Sequence, residues 1–74
     1  MKVETKYQLG DDVFIPFDNK IVKGYIRGIT VYAEYNNNVY VEIYDVRDKT
    51  GAVYSVDVAH VFYDVNSLIE TFNL

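Results

Sequence analysis

The sequence predicts a single small, mostly β domain: about five antiparallel strands curled into a small barrel, with a short C-terminal helix. Three observations carry this. The apolar half of the chain is supplied by Val, Ile and Tyr rather than by Leu and Ala, and β-branched and aromatic side chains suit a pleated, half-buried surface. Turn-forming residues recur at short intervals, at positions 10–12, 18–19, 36–38 and 47–51, as they do between the strands of a small sheet. With 74 residues the chain can build one core and no second domain.

Taken in order, residues 1–6 are polar apart from Val3 and read as a flexible N-terminus, with the domain running from 7 to 74. Leu9-Gly10-Asp11-Asp12 forms a turn, its carboxylates placed to bond nearby amides, and it opens a first strand at Val13-Phe14-Ile15. Pro16 lacks an amide donor, which confines this strand to an edge, a bulge or an early end. After the polar turn at Asp18-Asn19, residues 20–35 make a long β-rich stretch interrupted by Gly24 and Gly28. Glycine within a strand marks a bulge, a bend or a close backbone approach, so this is one long coiled strand or two strands meeting near Gly28. Tyr25 is placed in the core.

Asn36-Asn37-Asn38 closes the next hairpin, since Asn tolerates left-handed backbone angles. In the strand that follows, Val39, Val41 and Ile43 alternate with Tyr40, Glu42 and Tyr44, and the aliphatic face is expected to point inward. Within residues 45–51, Arg47-Asp48-Lys49-Thr50-Gly51 forms a hairpin loop in which a type I turn is closed by Gly51. A fourth strand covers 53–58 with Tyr54, Val56 and Val58 buried, and residues 61–63 make a short closing strand. Val65, Leu68, Ile69 and Phe72 form one apolar stripe on a final helix, which starts either at a cap on Asp64 or at a Ser67/Glu70 capping box. So short a helix must dock on the barrel to persist.

The sequence of Leu9-Gly10-Asp11-Asp12-Val13 entering a strand, Val22-Lys23-Gly24-Tyr25-Ile26 with Ile29 beyond, two hairpins and a closing strand resembles SH3-like barrels. More narrowly it resembles the short SH3-like proteins of bacterial phages, prophages and mobile elements, which often end in a similar apolar-acidic helix. The basic residue and glycine at Lys23-Gly24 are similar to the KOW motif of ribosomal and transcription-factor barrels. That resemblance implies RNA binding, although KOW barrels that bind RNA are generally basic and this chain is acidic.

Eleven acidic and seven basic residues give a formal charge of −4, with the signs interleaved, which disfavours non-specific nucleic-acid binding without a local basic patch. Cysteine is absent, which removes disulfides and thiolate zinc sites. No apolar run approaches the roughly 20 residues of a membrane helix, and no signal peptide opens the chain, so a cytoplasmic setting is expected. The lone His60 has Asp57 and Asp64 nearby at helical spacing in a region read as strand and turn, so it reads as a surface or partly packed histidine rather than a metal ligand or catalytic base. Asp11 and Asp12 read as turn formers. No cofactor and no catalytic group are expected.

The eight tyrosines are the informative excess. Exposed aromatics on a barrel serve as interaction hot spots or stacking platforms, and Tyr32, Tyr40 and Tyr44 are the candidates. They suggest a non-enzymatic interaction module that binds a protein or a second copy of itself. The alternative is nucleic-acid binding through Lys20, Lys23 and Arg27, read as a basic stripe along one strand face. The same tyrosines could instead cover the sheet, and the same cations could guard its edge.

Overall fold

The computed structural model describes residues 4–34 and 39–72. Its frame is an antiparallel sheet of four strands in the order β1 (Asp12–Phe17), β2 (Lys20–Glu34), β3 (Val39–Asp48) and β4 (Val53–Asp57). A 3₁₀ turn at Val58–His60 and a helix, α1 (Val65–Phe72), complete it. The sheet is open: the expected fifth strand is reduced to one bridge, Phe62 to Phe14, on the free edge of β1. The reason lies in the caps on either side. Asp57 accepts the Ala59 amide at 2.6 Å and starts the 3₁₀ turn, while Asp64 accepts the Asn66 amide at 3.1 Å and starts α1. Little chain is left between them to pair. Of the two helix starts open from the sequence, Asp64 is the one used. No helix among the described residues is long and apolar enough to cross a membrane.

The turns carry the local logic of the sequence. Asp18 and Asn19 have φ of 52° and 60°, the two left-handed residues that a two-residue type I′ hairpin requires. Phe14 exchanges both backbone bonds with Phe62, so alternation turns the nitrogen of Pro16 to that same side, away from β2, where its missing donor breaks no β1–β2 bond. Asp48 holds the β3–β4 hairpin: one carboxylate oxygen accepts from the Thr50 amide, the Thr50 hydroxyl and the Ala52 amide, and Gly51 takes φ 93°. The turn placed at Asn36-Asn37-Asn38 lies outside the described residues, but the antiparallel pairing of β2 with β3 on either side is clear.

β2 is one long strand, with a bulge at Arg27 where the register to β3 shifts between Ile26 and Gly28. Gly24 marks a close approach: a Cβ there would collide with the Arg47 carbonyl oxygen.

The core is Tyr7, Val13, Ile15, Ile26, Tyr44, Val46 and Val61, with Val22, Ile29, Tyr54, Val56 and Val58 packed against it. Two expectations are corrected. β3 turns its other face inward: Tyr44 and Val46 are fully buried and Glu42 nearly so. β4 pairs only with residues 43–47 of β3, and β1 only with residues 20–25 of β2, so the core forms where Tyr44 and Val46 lie, beyond the aliphatic run. Glu42 is tolerated inside because the Tyr40 hydroxyl donates to it at 3.0 Å and the Lys6 amide at 3.4 Å. Tyr25, expected inside, is 40% exposed, because Val22 and Ile26 take the inner face of β2 and alternation turns Tyr25 outward.

Tyr7, at the expected start of the domain, is a core residue. Its hydroxyl donates to the Val61 carbonyl, its amide donates to the Tyr44 hydroxyl at 3.2 Å, and the two rings meet edge to face at 5.4 Å. The helix packs against β1, with Leu68 buried outside the main cluster and Phe72 edge-on to Phe62 at 5.8 Å.

Candidate functional site

The structure does not gather the residues singled out from the sequence. Tyr44 is fully buried and presents no surface. Tyr32 and Tyr40 are each about half exposed, but Tyr32 pairs with Val41 and Tyr40 with Ala33, so they stand on opposite faces of the β2–β3 ribbon. The Tyr40 hydroxyl is engaged by Glu42, and burial with that neighbouring carboxylate raises its pKa. The basic stripe is likewise divided. Lys20 shares its face with Val22 and Ile26, Lys23 lies on the other face, and Arg27 is the bulge residue.

What the fold assembles instead is a shallow, open groove of about 660 Å³ on the outer face of β1, β2 and β3, flanked by the β3–β4 hairpin. Three neighbours across the sheet run along it, Asp12 beside Tyr25 and Tyr25 beside Arg47, and Val53 follows Arg47 on β4. Along β2, period two puts Ile21, Lys23 and Tyr25 on this same face. Ile21, Tyr25 and Val53 are 38%, 40% and 42% exposed, an apolar surface left open by the described residues. Lys49 and Thr50 line the hairpin side.

Cations are interspersed with these apolar residues. Lys23, Arg47 and Lys49 all line the groove, three of the seven basic residues of the chain. The ion pair found among the described residues lies elsewhere, between Asp57 and His60 at 3.6 Å. The Lys23 ammonium sits 5.9 Å from the centre of the Phe14 ring, its cross-strand neighbour. The Arg47 side chain reaches the loop, where a Cβ on Gly51 would stand 3.5 Å from Nη2. Two carboxylates border the groove, but Asp48 is committed to its turn. The Thr50 hydroxyl, with the Thr50 and Ala52 amides and the Tyr54 hydroxyl, holds its carboxyl below the usual range. Asp12 is the remaining acidic neighbour.

A second, smaller recess of about 300 Å³ is lined by Pro16, Phe17, Asp18, Asn19, His60 and Phe72. His60 stacks on Phe72 there at 5.3 Å with its side chain still about half exposed. Asp11 is a turn former, accepting the Gln8 amide at 3.0 Å and the Tyr63 hydroxyl. Among the described residues, no group of three or more His, Asp or Glu is placed to share a metal ion.

Reasoning from the sequence missed Arg47, Lys49, Tyr25 and Ile21 as one site. A signal was present, since counting back from the Asn turn along an antiparallel pair brings Arg47 to the neighbourhood of Tyr25. Compared with known protein families, curated proteins and solved structures, the chain finds no match.

Proposed function

We propose that this chain is a non-enzymatic interaction module built as a small SH3-like barrel, and that it binds a protein partner in the groove around Tyr25. The barrel reading is supported by the four-strand meander, by the 3₁₀ turn after β4 and by the return of Phe62 to the free edge of β1. The single observation that carries the binding reading is the composition of the groove. Exposed Ile21 and Tyr25 form an apolar surface with Lys23 between them and Arg47 and Lys49 beside it, and among the described residues these cations have no carboxylate within ion-pair distance. Apolar and aromatic area beside cations is a composition that protein interfaces use, and Tyr and Arg are the residues that dominate their energetics.

Nucleic acid is the second reading, favoured by the same cations beside an aromatic ring. The formal charge of −4 weighs against it. One experiment separates the two. A photo-crosslinking amino acid is placed at Ile21, with Leu9, 66% exposed and outside the groove lining, as control. The protein is then irradiated in cells that express it. Nuclease-resistant protein adducts at position 21 and not at position 9 are expected. Adducts removed by nuclease would transfer the groove to nucleic acid, and no adduct at position 21 would end its role as a docking surface.

A further inference from the structure

The groove has a chemical order that specifies more than a protein in general. Along the outer face of β2 the exposed side chains run Ile21, Lys23, Tyr25: apolar, cationic, aromatic, two residues apart. In a strand that spacing is roughly 6.6 Å between successive members. Arg47 stands directly beside Tyr25 on β3, and Lys49 lies on the hairpin beyond. A ligand lying extended along β2 would present its own alternate residues at the same spacing.

We infer, resting on the reading of the groove as a protein-docking surface, that its partner is an extended acidic segment in which a Glu or Asp is flanked two residues away on each side by an apolar or aromatic residue. The carboxylate meets Lys23 and Arg47, and the flanking side chains cover Ile21 and Tyr25. Charge complementarity selects the acid: the three cations of the groove find no carboxylate within ion-pair distance among the described residues, and an arginine guanidinium matches a carboxylate with two parallel hydrogen bonds. The apolar floor selects the flanks, because a purely acidic strand would leave Ile21 and Tyr25 in water. Nucleic acid fits less well. Phosphates need a longer cationic track than Lys23, Arg47 and Lys49 provide, and Asp12 stands next to Tyr25 where a stacked base would lie.

The probe is a labelled peptide with the order Leu-Ser-Glu-Ser-Phe between serine flanks, titrated with the whole chain by fluorescence anisotropy. Replacing the peptide Glu by Gln is expected to weaken binding about tenfold, the ordinary size of one charge-assisted hydrogen bond pair. Replacing its Leu and Phe by Ser is expected to weaken it by a similar factor. On the protein, Tyr25→Ser and Lys23→Gln each lower affinity. Lys23 is exposed on the outer face of β2 and takes no part in the core, so its variant reads binding with little risk to the fold, which circular dichroism checks. Raised salt weakens the Glu peptide and leaves the Gln peptide nearly unchanged.

The inference is overturned if no peptide binds, if the Gln peptide binds as well as the Glu peptide, if the serine-only acidic peptide is equal to the full one, or if oligothymidylate binds more tightly and displaces the peptide. Any of these alongside a protein crosslink at position 21 would remove the acidic-apolar motif and leave the docking surface in place. A failed crosslink would remove both.

Discussion

The tyrosines show how one residue type is put to several uses by its surroundings. Tyr7 and Tyr44 are buried and bonded to each other through amide and hydroxyl. Removing the Tyr7 hydroxyl as Tyr7→Phe leaves the Val61 carbonyl, which accepts from it, without a donor at a buried position. A loss of about 1–3 kcal/mol is expected, read from the midpoint of urea unfolding at unchanged slope; a loss within error would mean that water replaces the hydroxyl. Tyr63 differs, being 55% exposed. Its hydrogen bond to the Asp11 carboxylate, then partial burial, pushes its pKa up to about 12, and the same bond lowers that of Asp11. The two shifts act at opposite ends of the pH scale. The raised tyrosine keeps its proton when folded, so its contribution is full below the ordinary value of 10 and is lost as pH rises from there towards 12. Asp11 contributes above its ordinary value of 3.8 and loses that contribution as pH falls through its lowered folded value. In an ultraviolet titration of the native protein the Tyr63→Phe variant should lack a late-ionising tyrosine, and its stability should decline less steeply between pH 10 and 12. An unchanged titration would show that Asp11 does not hold Tyr63 in solution.

At the scale of elements the bulge at Arg27 makes a counter-intuitive prediction. Ile26 on one side of it and Ile29 on the other both face the core, and the pairing of Ile26 with Val46 and Gly28 with Asp45 is continuous on the β3 side. Deleting Arg27 therefore leaves the in-and-out alternation of β2 intact and removes only the local bend. Deleting Thr30 shifts every later residue of β2 to the opposite face. The first variant should keep a dispersed amide NMR spectrum and the second should lose it; the reverse ranking would mean that the bend, not the alternation, is essential. This also marks how far the sequence could be read. The turns at Asp18-Asn19 and Gly51 were legible because they rest on local chemistry, whereas Asp64 is one of two helix starts the sequence leaves open and an edge is one of three places it allows Pro16. The inward face of β3 was not legible, because Val39, Val41 and Ile43 outscore Tyr40, Glu42 and Tyr44 in hydrophobicity while neighbouring strands reach only the far end of β3. The groove was missed for a related reason. Arg47 and Lys49 come beside Tyr25 only through pairing of residues far apart in sequence, whereas Lys20, Lys23 and Arg27 are close in sequence and are parted by alternation and a bulge.

For the whole molecule, the arrangement of apolar groups suggests two levels of cooperativity. A domain of 74 residues has a total stability of about 4–11 kcal/mol, and most of its buried side chains belong to one cluster between the sheet, Tyr7 and Val61. The helix is set apart from that cluster. It packs against β1, its fully buried residue is Leu68, and its end is held by Phe72 against Phe62 and His60. Eight residues are too few for a stable helix in water, so α1 exists only while docked. Leu68→Ala should cost about 2–5 kcal/mol if the site cannot collapse, and that cost should fall on helix docking before it reaches the sheet. Two probes distinguish local from global loss: the helical signal in circular dichroism follows α1, and tyrosine fluorescence follows the packed Tyr7 and Tyr44 rings. In the unaltered chain the two should unfold together in urea. In Leu68→Ala the helical signal should disappear at lower urea while the tyrosine transition moves less. Coincident transitions in the variant would instead make the helix an inseparable part of the core, and the peptide binding proposed for the groove on the outer face of β2 would then be lost in step with α1.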